Sequence, residues 1–242
     1  MKPKSNTLFH FTKSAEFLRG ILLNGLFPRY CLEDVRWFGN QTHNYVAFPM
    51  ACFCDIPLSR ISEHTAFYGE YGIGLTKDWG LRNKLCPVIY TPPDSSVTKL
   101  ADYLAVLKLG DMPDKEEQEK AVNDMFYRMI SLIKPLNGNM LIGGSPVEKD
   151  FYQESEWRHV PTFQDLIFEH EFTEKRDEKN RDLEPYKLAI SPEDIKYIFV
   201  KNDHEIPVLV DFINNKLGHF SHNALKLLTT RILSLDGISL DI

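Results

Sequence analysis

The chain has 242 residues, of which 43% are hydrophobic and 26% are charged, and its formal net charge at pH 7 is −6. This is the composition of an ordinary globular protein, and it excludes a disordered, collagen-like or coiled-coil chain. The acidic balance argues against tight non-specific binding to a nucleic-acid backbone, which needs a surplus of Lys and Arg, although a local basic groove is still compatible with it.

The first fifty residues predict a strand, a helix and a second, buried strand. Residues Thr7–Thr12 predict the first strand, and Lys13 and Ser14 open a helix whose apolar face is Phe17, Leu18, Ile21 and Leu22. Asn24-Gly25 ends this helix, since Gly readily takes the left-handed backbone conformation of a helix C-terminus. We expect a loop over residues 30–45, then a buried strand over Tyr45–Cys54 that is interrupted at Pro49.

The rest of the chain predicts further helices and strands in alternation. A helix is expected from about Leu58 to Tyr68, followed by strands at Tyr71–Leu75 and Pro87–Thr91. Apolar periodicity then predicts helices over Ser95–Leu107 and from about Asp114. The later segments are a strand over Trp157–Val160, an exposed charged stretch over 169–184, a helix start at Ser191–Asp194, a strand over Lys196–Val200, and two helices over Ile206–Leu217 and His222–Leu233. This mixture favours one mixed α/β domain over an all-α or all-β fold, with two small domains as the alternative.

Four cysteines, Cys31, Cys52, Cys54 and Cys86, lack the spacing of a zinc site, so we predict reduced structural thiols and no bound metal. The N-terminus lacks the apolar core of a secretory signal, and no stretch of about 18 apolar residues predicts a membrane-spanning helix. We therefore expect a cytoplasmic protein that does not enter a membrane.

Two of the three clusters that could carry chemistry are rich in aromatic residues. His10 stands between two Phe residues at the end of the first predicted strand, where a histidine with satisfied ring nitrogens is the simplest interpretation. Tyr68 and Tyr71 lie close to glycines and could offer a flat surface for stacking, although core packing is the favoured interpretation when they are taken alone.

The third cluster is Glu154-Ser155-Glu156-Trp157-Arg158. On a strand, Glu154 and Glu156 would point to the same face, about 7 Å apart. Two like charges on one face need a cation between them, and this cation could be Arg158 or an electron-poor centre of a substrate. A surface ion pair is the plain alternative.

Together, the three clusters resemble the ADP-ribosyltransferase superfamily. The resemblance lies in their order along the chain, which is a His on the first strand, a Tyr after a central strand and a late Glu. The opening, with His10–Thr12 and Ile21–Leu26, resembles DarT-type toxins. A resemblance to the AbiGi family covers nearly the whole chain. AbiGi proteins are bacterial abortive-infection proteins that protect against phage and are described as antitoxins of two-gene systems. The segments that carry this second resemblance are Phe53–Ser59, Tyr71–Trp79, Glu154–Arg158 and Ser191–Val200.

These resemblances imply an α+β fold, formed by a single domain over 1–242 with an ADP-ribosyltransferase-like split mixed β-sheet, flanking helices and a helical insertion at about 95–140. The transferase resemblance further implies NAD+ as substrate. Glu156 would then hydrogen-bond the nicotinamide ribose and stabilise the oxocarbenium-like centre, Glu154 would orient or deprotonate the acceptor, and His10 would bind a ribose or the carboxamide.

The same resemblance implies the remaining binding residues for NAD+. Thr12 would contribute beside His10, Tyr68 would stack on nicotinamide with Tyr71 as the alternative, and Arg158 would pair with a carboxylate or the pyrophosphate.

The resemblances leave two functions open. One is an NAD+-dependent transferase or NAD+ hydrolase acting on an unknown protein or nucleic-acid acceptor within a toxin-antitoxin system. The other is a non-enzymatic antitoxin or regulatory binding protein that keeps the fold without the activity. Both imply a cognate toxin or antitoxin encoded nearby as the partner.

Overall fold

The computed structural model describes residues 5–38, 43–106, 115–142, 145–162 and 165–239. Its internal contacts divide the chain into two units. The first unit comprises residues 1–27, 52–85 and 187–242, and the second comprises residues 28–51 and 86–186. That the chain forms one domain over 1–242 with an insertion at about 95–140 stays a prediction, and residues 107–114 of that insertion lie outside the described part.

The described residues form both strands and helices. The strands are β1 (Thr7–Thr12), β2 (Arg29–Asp34), β3 (Tyr45–Cys54), β4 (Tyr71–Thr76), β5 (Cys86–Pro87), β6 (Ile89–Thr91), β7 (Ile133–Pro135), β8 (Asn137–Ile142), β9 (Ser145–Asp150), β10 (Glu156–His159), β11 (Ile167–Phe168), β12 (Ile195–Val200) and β13 (Ile232–Ser234). The α-helices are α1 (Ala15–Asn24), α2 (Ile61–Tyr68), α3 (Lys77–Arg82), α4 (Ser96–Val106), α5 (Lys115–Ile130), α6 (Phe172–Arg181), α7 (Glu205–Lys216), α8 (His222–Thr229) and α9 (Leu235–Ile238).

The first unit contains a mixed sheet in the order β13-β12-β4-β1, and β1 also pairs with the end of β3. The pairs β12–β4 and β4–β1 are antiparallel, whereas β12 and β13 are parallel. Phe9 and Phe11 of β1 lie opposite Gly74 and Gly72 of β4. A Cβ atom at Gly72 would lie 2.5 Å from the Phe11 ring, so the glycine allows the aromatic ring to pack directly on the strand.

Helix α1 shows how local sequence sets an element of the first unit. The Ser14 hydroxyl accepts a hydrogen bond from the backbone N–H of Phe17, which caps the helix start. Gly25 ends the helix at φ 83°. Of the predicted apolar face, Leu18 and Leu22 are buried, whereas Phe17 is 62% exposed.

The second unit is built from smaller pairings. Antiparallel pairs join β2 with β3, β3 with β11, β10 with β5, and β8 with β9, and β6 pairs with β7 in parallel. The first of these pairs corrects two predictions. Residues 29–34 form a strand instead of the predicted loop, and β3 is not interrupted, because Pro49 lies within it opposite Tyr30 of β2.

Three predicted elements in the later part of the chain also differ from the structure. Residues 191–194 form a turn and not a helix start, because the Asp194 carboxylate accepts hydrogen bonds from the backbone N–H and hydroxyl of Ser191 and so closes the turn locally. The last predicted helix ends at Thr229, since Ile232–Ser234 pair with β12 as β13. The strand predicted over Pro87–Thr91 is divided between β5 and β6. The predicted α+β class with a mixed sheet and several helices is confirmed.

Candidate functional site: a buried ion cluster

Six charged side chains of the second unit meet in one network, which we call the ion cluster: Glu33, Lys134, Lys149, Glu154, Glu156 and Arg158. Three of these groups are acids and three are bases, so the cluster is formally neutral. The exposed fraction of each side chain is 16% or less. Charges this deeply buried are stable only when they are paired and hydrogen-bonded, and this requirement is met here.

Arg158 is the most buried member, with no exposed side-chain surface. Its Nε donates to Glu156 Oε1 at 2.8 Å, and its Nη2 donates to Glu156 Oε2 at 3.0 Å, which is the two-point contact that a guanidinium makes with a carboxylate. Nη2 also donates to Glu33 Oε2 at 2.7 Å, and Nη1 donates to the carbonyl of Ser131 at 2.6 Å. Every nitrogen of the guanidinium therefore has an acceptor.

Lys134 lies between the carboxylates of Glu154 and Glu156, which we call the E-x-E segment (residues 154–156). Its Nζ donates to Glu154 Oε2 at 3.2 Å and to Glu156 Oε2 at 3.1 Å, and it lies 3.9 Å from Glu33 Oε2. The same ammonium lies 4.2 Å from the centre of the Phe151 ring, a cation–π contact. Burial lowers the pKa of Lys134, but the three carboxylates outweigh this effect and hold the pKa well above its usual value.

Lys149 closes the cluster on the other side of Glu154, with its Nζ 2.5 Å from Glu154 Oε1. Burial favours protonation of Glu154, but the ammonium groups of Lys134 and Lys149 outweigh it and hold the pKa of this carboxyl below its usual range. For Lys149 the balance is reversed, because burial lowers its pKa by more than Glu154 raises it. The cluster therefore holds Glu154 as a carboxylate at neutral pH.

The local backbone differs from the strand that was predicted for the E-x-E segment. Glu154 ends a 3-10 turn over Phe151–Glu154, Ser155 takes a left-handed conformation at φ 44°, and only Glu156 begins β10. The backbone N–H of Glu156 donates to the Tyr90 hydroxyl at 2.8 Å. The expected cation between the two carboxylates is present, but it is Lys134, while Arg158 binds Glu156 and Glu33.

Sequence reasoning missed Lys134, Glu33 and Lys149. Lys134 carried a usable signal, because it is the single charge within the apolar run 132–136 and lies on a strand whose three residues are all buried. A lysine in that position is almost always paired with an acid. Glu33 was assigned to a loop, and Lys149 carried no such signal.

The other predicted site residues lie in the first unit. His10 Nδ1 lies 2.8 Å from the Cys52 carbonyl oxygen, which can only accept, so Nδ1 carries the proton. Burial lowers the pKa of His10, which makes the neutral ring its form at pH 7. Thr12 lies opposite Tyr71 in the β1–β4 pair.

The two candidate tyrosines already have partners of their own. The Tyr68 ring stacks on His64 with ring centres 4.4 Å apart. The Tyr71 hydroxyl donates to Glu205 Oε1 at 2.8 Å, and partial burial together with this carboxylate raises the pKa of Tyr71 to about 12. The residues predicted to bind NAD+ are therefore divided between the two units, with Glu154, Glu156 and Arg158 together in the second.

Two further searches covered the described part of the chain. No group of three or more His, Cys, Asp or Glu side chains within it is arranged to hold a metal ion. No helix in the same part is long and apolar enough to span a membrane.

A family model described as "Putative abortive phage resistance protein AbiGi, antitoxin" matches residues 24–201. The chain belongs to the AbiGi family. A curated member from Lactococcus lactis subsp. cremoris, the "Abortive phage resistance protein AbiGi", is 30% identical over 251 aligned residues, covering 88% of this chain and 98% of that protein. This confirms the resemblance to AbiGi proteins that the sequence motifs indicated.

The remaining comparisons add little about function. A potato (Solanum tuberosum) protein, "Linoleate 13S-lipoxygenase 2-1, chloroplastic", is 29% identical over 102 residues, which is 39% of this chain but 11% of that protein. No solved structure matches the chain. Every residue of the ion cluster lies within the part that matches the AbiGi family model, whereas His10 and Thr12 precede it.

Proposed function

We propose that this AbiGi protein acts in the cytoplasm as a non-enzymatic antitoxin, which binds and restrains a toxin encoded beside it in an abortive-infection system. The observation that carries this proposal is that the Glu156 carboxylate is buried and bound by cations of its own chain. Both of its carboxylate oxygens accept hydrogen bonds from cations of the same chain, Lys134 and Arg158, and the side chain is buried. An NAD+ ribose hydroxyl would have to reach a carboxylate that is 6% exposed and already binds two cations.

The family description supports the same proposal independently, because it gives these proteins the role of antitoxin. An antitoxin acts by forming a complex and needs a stable, well-specified fold more than a solvent-accessible carboxylate. A neutral and fully paired ion cluster meets that need, since it links the strands β2, β7, β9 and β10 of the second unit.

A second candidate function, an ADP-ribosyltransferase-like fold that cleaves NAD+, is favoured by one feature of the same cluster. The point between Glu154 and Glu156 stabilises a positive charge, which is at present the Lys134 ammonium. An oxocarbenium-like centre makes the same electrostatic demand on a pair of carboxylates. In this reading Glu156 and Glu154 would be catalytic, and His10, Thr12, Tyr68, Tyr71 and Arg158 would bind NAD+.

The two functions can be distinguished with purified protein. We would measure the thermal shift with NAD+ and the release of nicotinamide for the wild type, for Glu156→Gln and for a matched control. The control is Glu148→Gln, at an exposed position of β9. The product of the neighbouring gene would be titrated against the same proteins. The antitoxin proposal predicts a stable complex, no stabilisation by NAD+ and no nicotinamide release. Release by the wild type that is lost in Glu156→Gln and kept in Glu148→Gln would establish the enzyme instead.

A further inference from the structure

Two helices of the second unit, α4 and α5, pack against each other and leave large apolar side chains exposed. On α4, Leu100 and Tyr103 are 53% and 62% exposed, and on α5, Met125 is 73% exposed beside Val122. Each pair is three residues apart, so its members share one side of their helix. Several large apolar side chains exposed on two packed helices are typical of a binding site for another protein.

Other residues of both helices are buried, and they show which side of each helix packs against the second unit. Thr98 and Ala101 of α4 are buried, and the Thr98 hydroxyl is hydrogen-bonded to the Pro92 carbonyl at 3.3 Å. Ile130, at the end of α5, is also buried. The exposed apolar residues are therefore on the sides that the helices turn away from the core of the second unit.

Two cations flank these apolar residues. Lys99 on α4 and Arg128 on α5 are exposed, and neither forms an ion pair with another residue in the described ranges. Asp102 and Asp124 are less exposed, and one Asp102 carboxylate oxygen is buried. In a chain of net charge −6, two exposed cations thus lie beside exposed apolar side chains. We call it the α4–α5 face and define it by the residues Lys99, Leu100, Tyr103, Val122, Met125 and Arg128.

We propose that the α4–α5 face is the docking surface for the toxin, and that it binds an amphipathic segment with apolar and acidic side chains. The inference rests on the proposed antitoxin function. The apolar side chains would supply buried area, while Lys99 and Arg128 would pair with carboxylates and set the orientation. A nucleic acid fits this face less well, because two cations neutralise few phosphates and Tyr103 is the one aromatic side chain among the six residues of the face.

The test uses the full chain and the purified product of the neighbouring gene, with affinity measured by calorimetry. The variants are Leu100→Ser with Met125→Ser, and Lys99→Glu with Arg128→Glu. The matched control is Val208→Ser with Lys226→Glu, at exposed positions of the first unit. We expect each face variant to weaken binding by at least about tenfold and the control to bind like the wild type. Binding of the wild type should also weaken with rising salt.

The outcomes separate the two proposals. If the wild type does not bind the neighbouring protein, the antitoxin function itself fails. If the wild type binds and both face variants bind equally well, the function stands and the docking surface is wrong. A wild-type dimer in sedimentation that the face variants dissociate would assign the face to a second copy of this chain. We would also measure the binding of a single-stranded RNA 30-mer. If the wild type binds this RNA, and the face variants lose the RNA but still bind the neighbouring protein, the α4–α5 face is a nucleic-acid site instead.

Discussion

Replacing Lys134 by Met should be among the most damaging single substitutions in the second unit. Met fills most of the lysine volume but removes the charge, and so leaves three carboxylates facing two cations. Glu154 and Glu156 lose donors at 3.2 Å and 3.1 Å, and both side chains are buried, so water has little access to replace these donors. Removal of one partner from a buried ion pair costs about 3–5 kcal/mol, and we expect Lys134→Met to lower the free energy of unfolding by that amount at pH 7.

The loss in this variant should shrink at acidic pH. In the wild type, the pKa of Glu154 is held below its usual range against the effect of burial, so its contribution to stability is present above pH 4.5 and lost below it. Without Lys134, burial is opposed by Lys149 alone, and the pKa of Glu154 rises. The folded variant then takes up a proton at a higher pH than the wild type, which relieves the unpaired charge. The difference from the wild type should therefore be smaller at pH 5.

Urea denaturation at pH 7 and pH 5 measures both effects. The double variant Lys134→Met/Glu154→Gln returns the cluster to neutrality, and it should be more stable than Lys134→Met alone by about 1–3 kcal/mol. Lys175→Met is the control, because it removes a lysine from an ion pair on the exposed surface of α6 and should change the midpoint little. A loss of under about 1 kcal/mol for Lys134→Met, or one independent of pH, would refute this account of the cluster.

Two further predictions concern the first unit. Gly69→Ala should destabilise the chain by more than about 2 kcal/mol in thermal denaturation, because φ is +117° and the new Cβ would lie 2.3 Å from the Thr12 carbonyl oxygen. Gly20→Ala, with nothing within 4 Å, should instead stabilise α1 by about 0.5–1 kcal/mol, and equal effects at both positions would contradict the argument. Burial lowers the pKa of His10, so the folded state loses stability as pH falls below about 6.5, by at most about 1.4 kcal/mol per pH unit. His10→Asn keeps a donor for Cys52 and does not titrate, so its stability should fall less between pH 7.5 and 5.5, and an unchanged pH dependence would count against this role.

Helices and strands whose ends are set by residues close to them in the sequence were predictable. β1 has the bounds that its sequence predicted, α1 begins after the cap at Ser14 and ends before Gly25, and α2 ends before Gly69. The cause is local because a capping hydroxyl or a glycine at positive φ acts on residues within one turn. The α+β class followed from the alternation of such segments.

Features that depend on distant partners were not predictable in the same way. Most of β2 was predicted to be a loop, because apolar and polar residues do not alternate regularly along it. It is a strand because β3 pairs with it over six residues. The E-x-E segment was correctly identified as a site that needs a cation, but the cation lies 20 residues before Glu154 in the chain. No spacing rule within the segment could have named Lys134.

The ion cluster shows why a motif of two carboxylates leaves catalysis and structure undecided. Two glutamates two residues apart repel each other unless a positive charge lies between them, and either a substrate or a lysine can supply that charge. Here the chain satisfies the demand itself, because Lys134 and Arg158 occupy both oxygens of Glu156, and Glu33 and Lys149 complete a neutral set of six charges. A catalytic role for Glu156 would require a substrate to reach a buried carboxylate that Lys134 and Arg158 already bind. The Lys134→Met variant measures how strongly the fold depends on this pairing. A large loss in that variant argues that Glu156 is committed to the fold, so the stability experiment also bears on the choice between antitoxin and transferase.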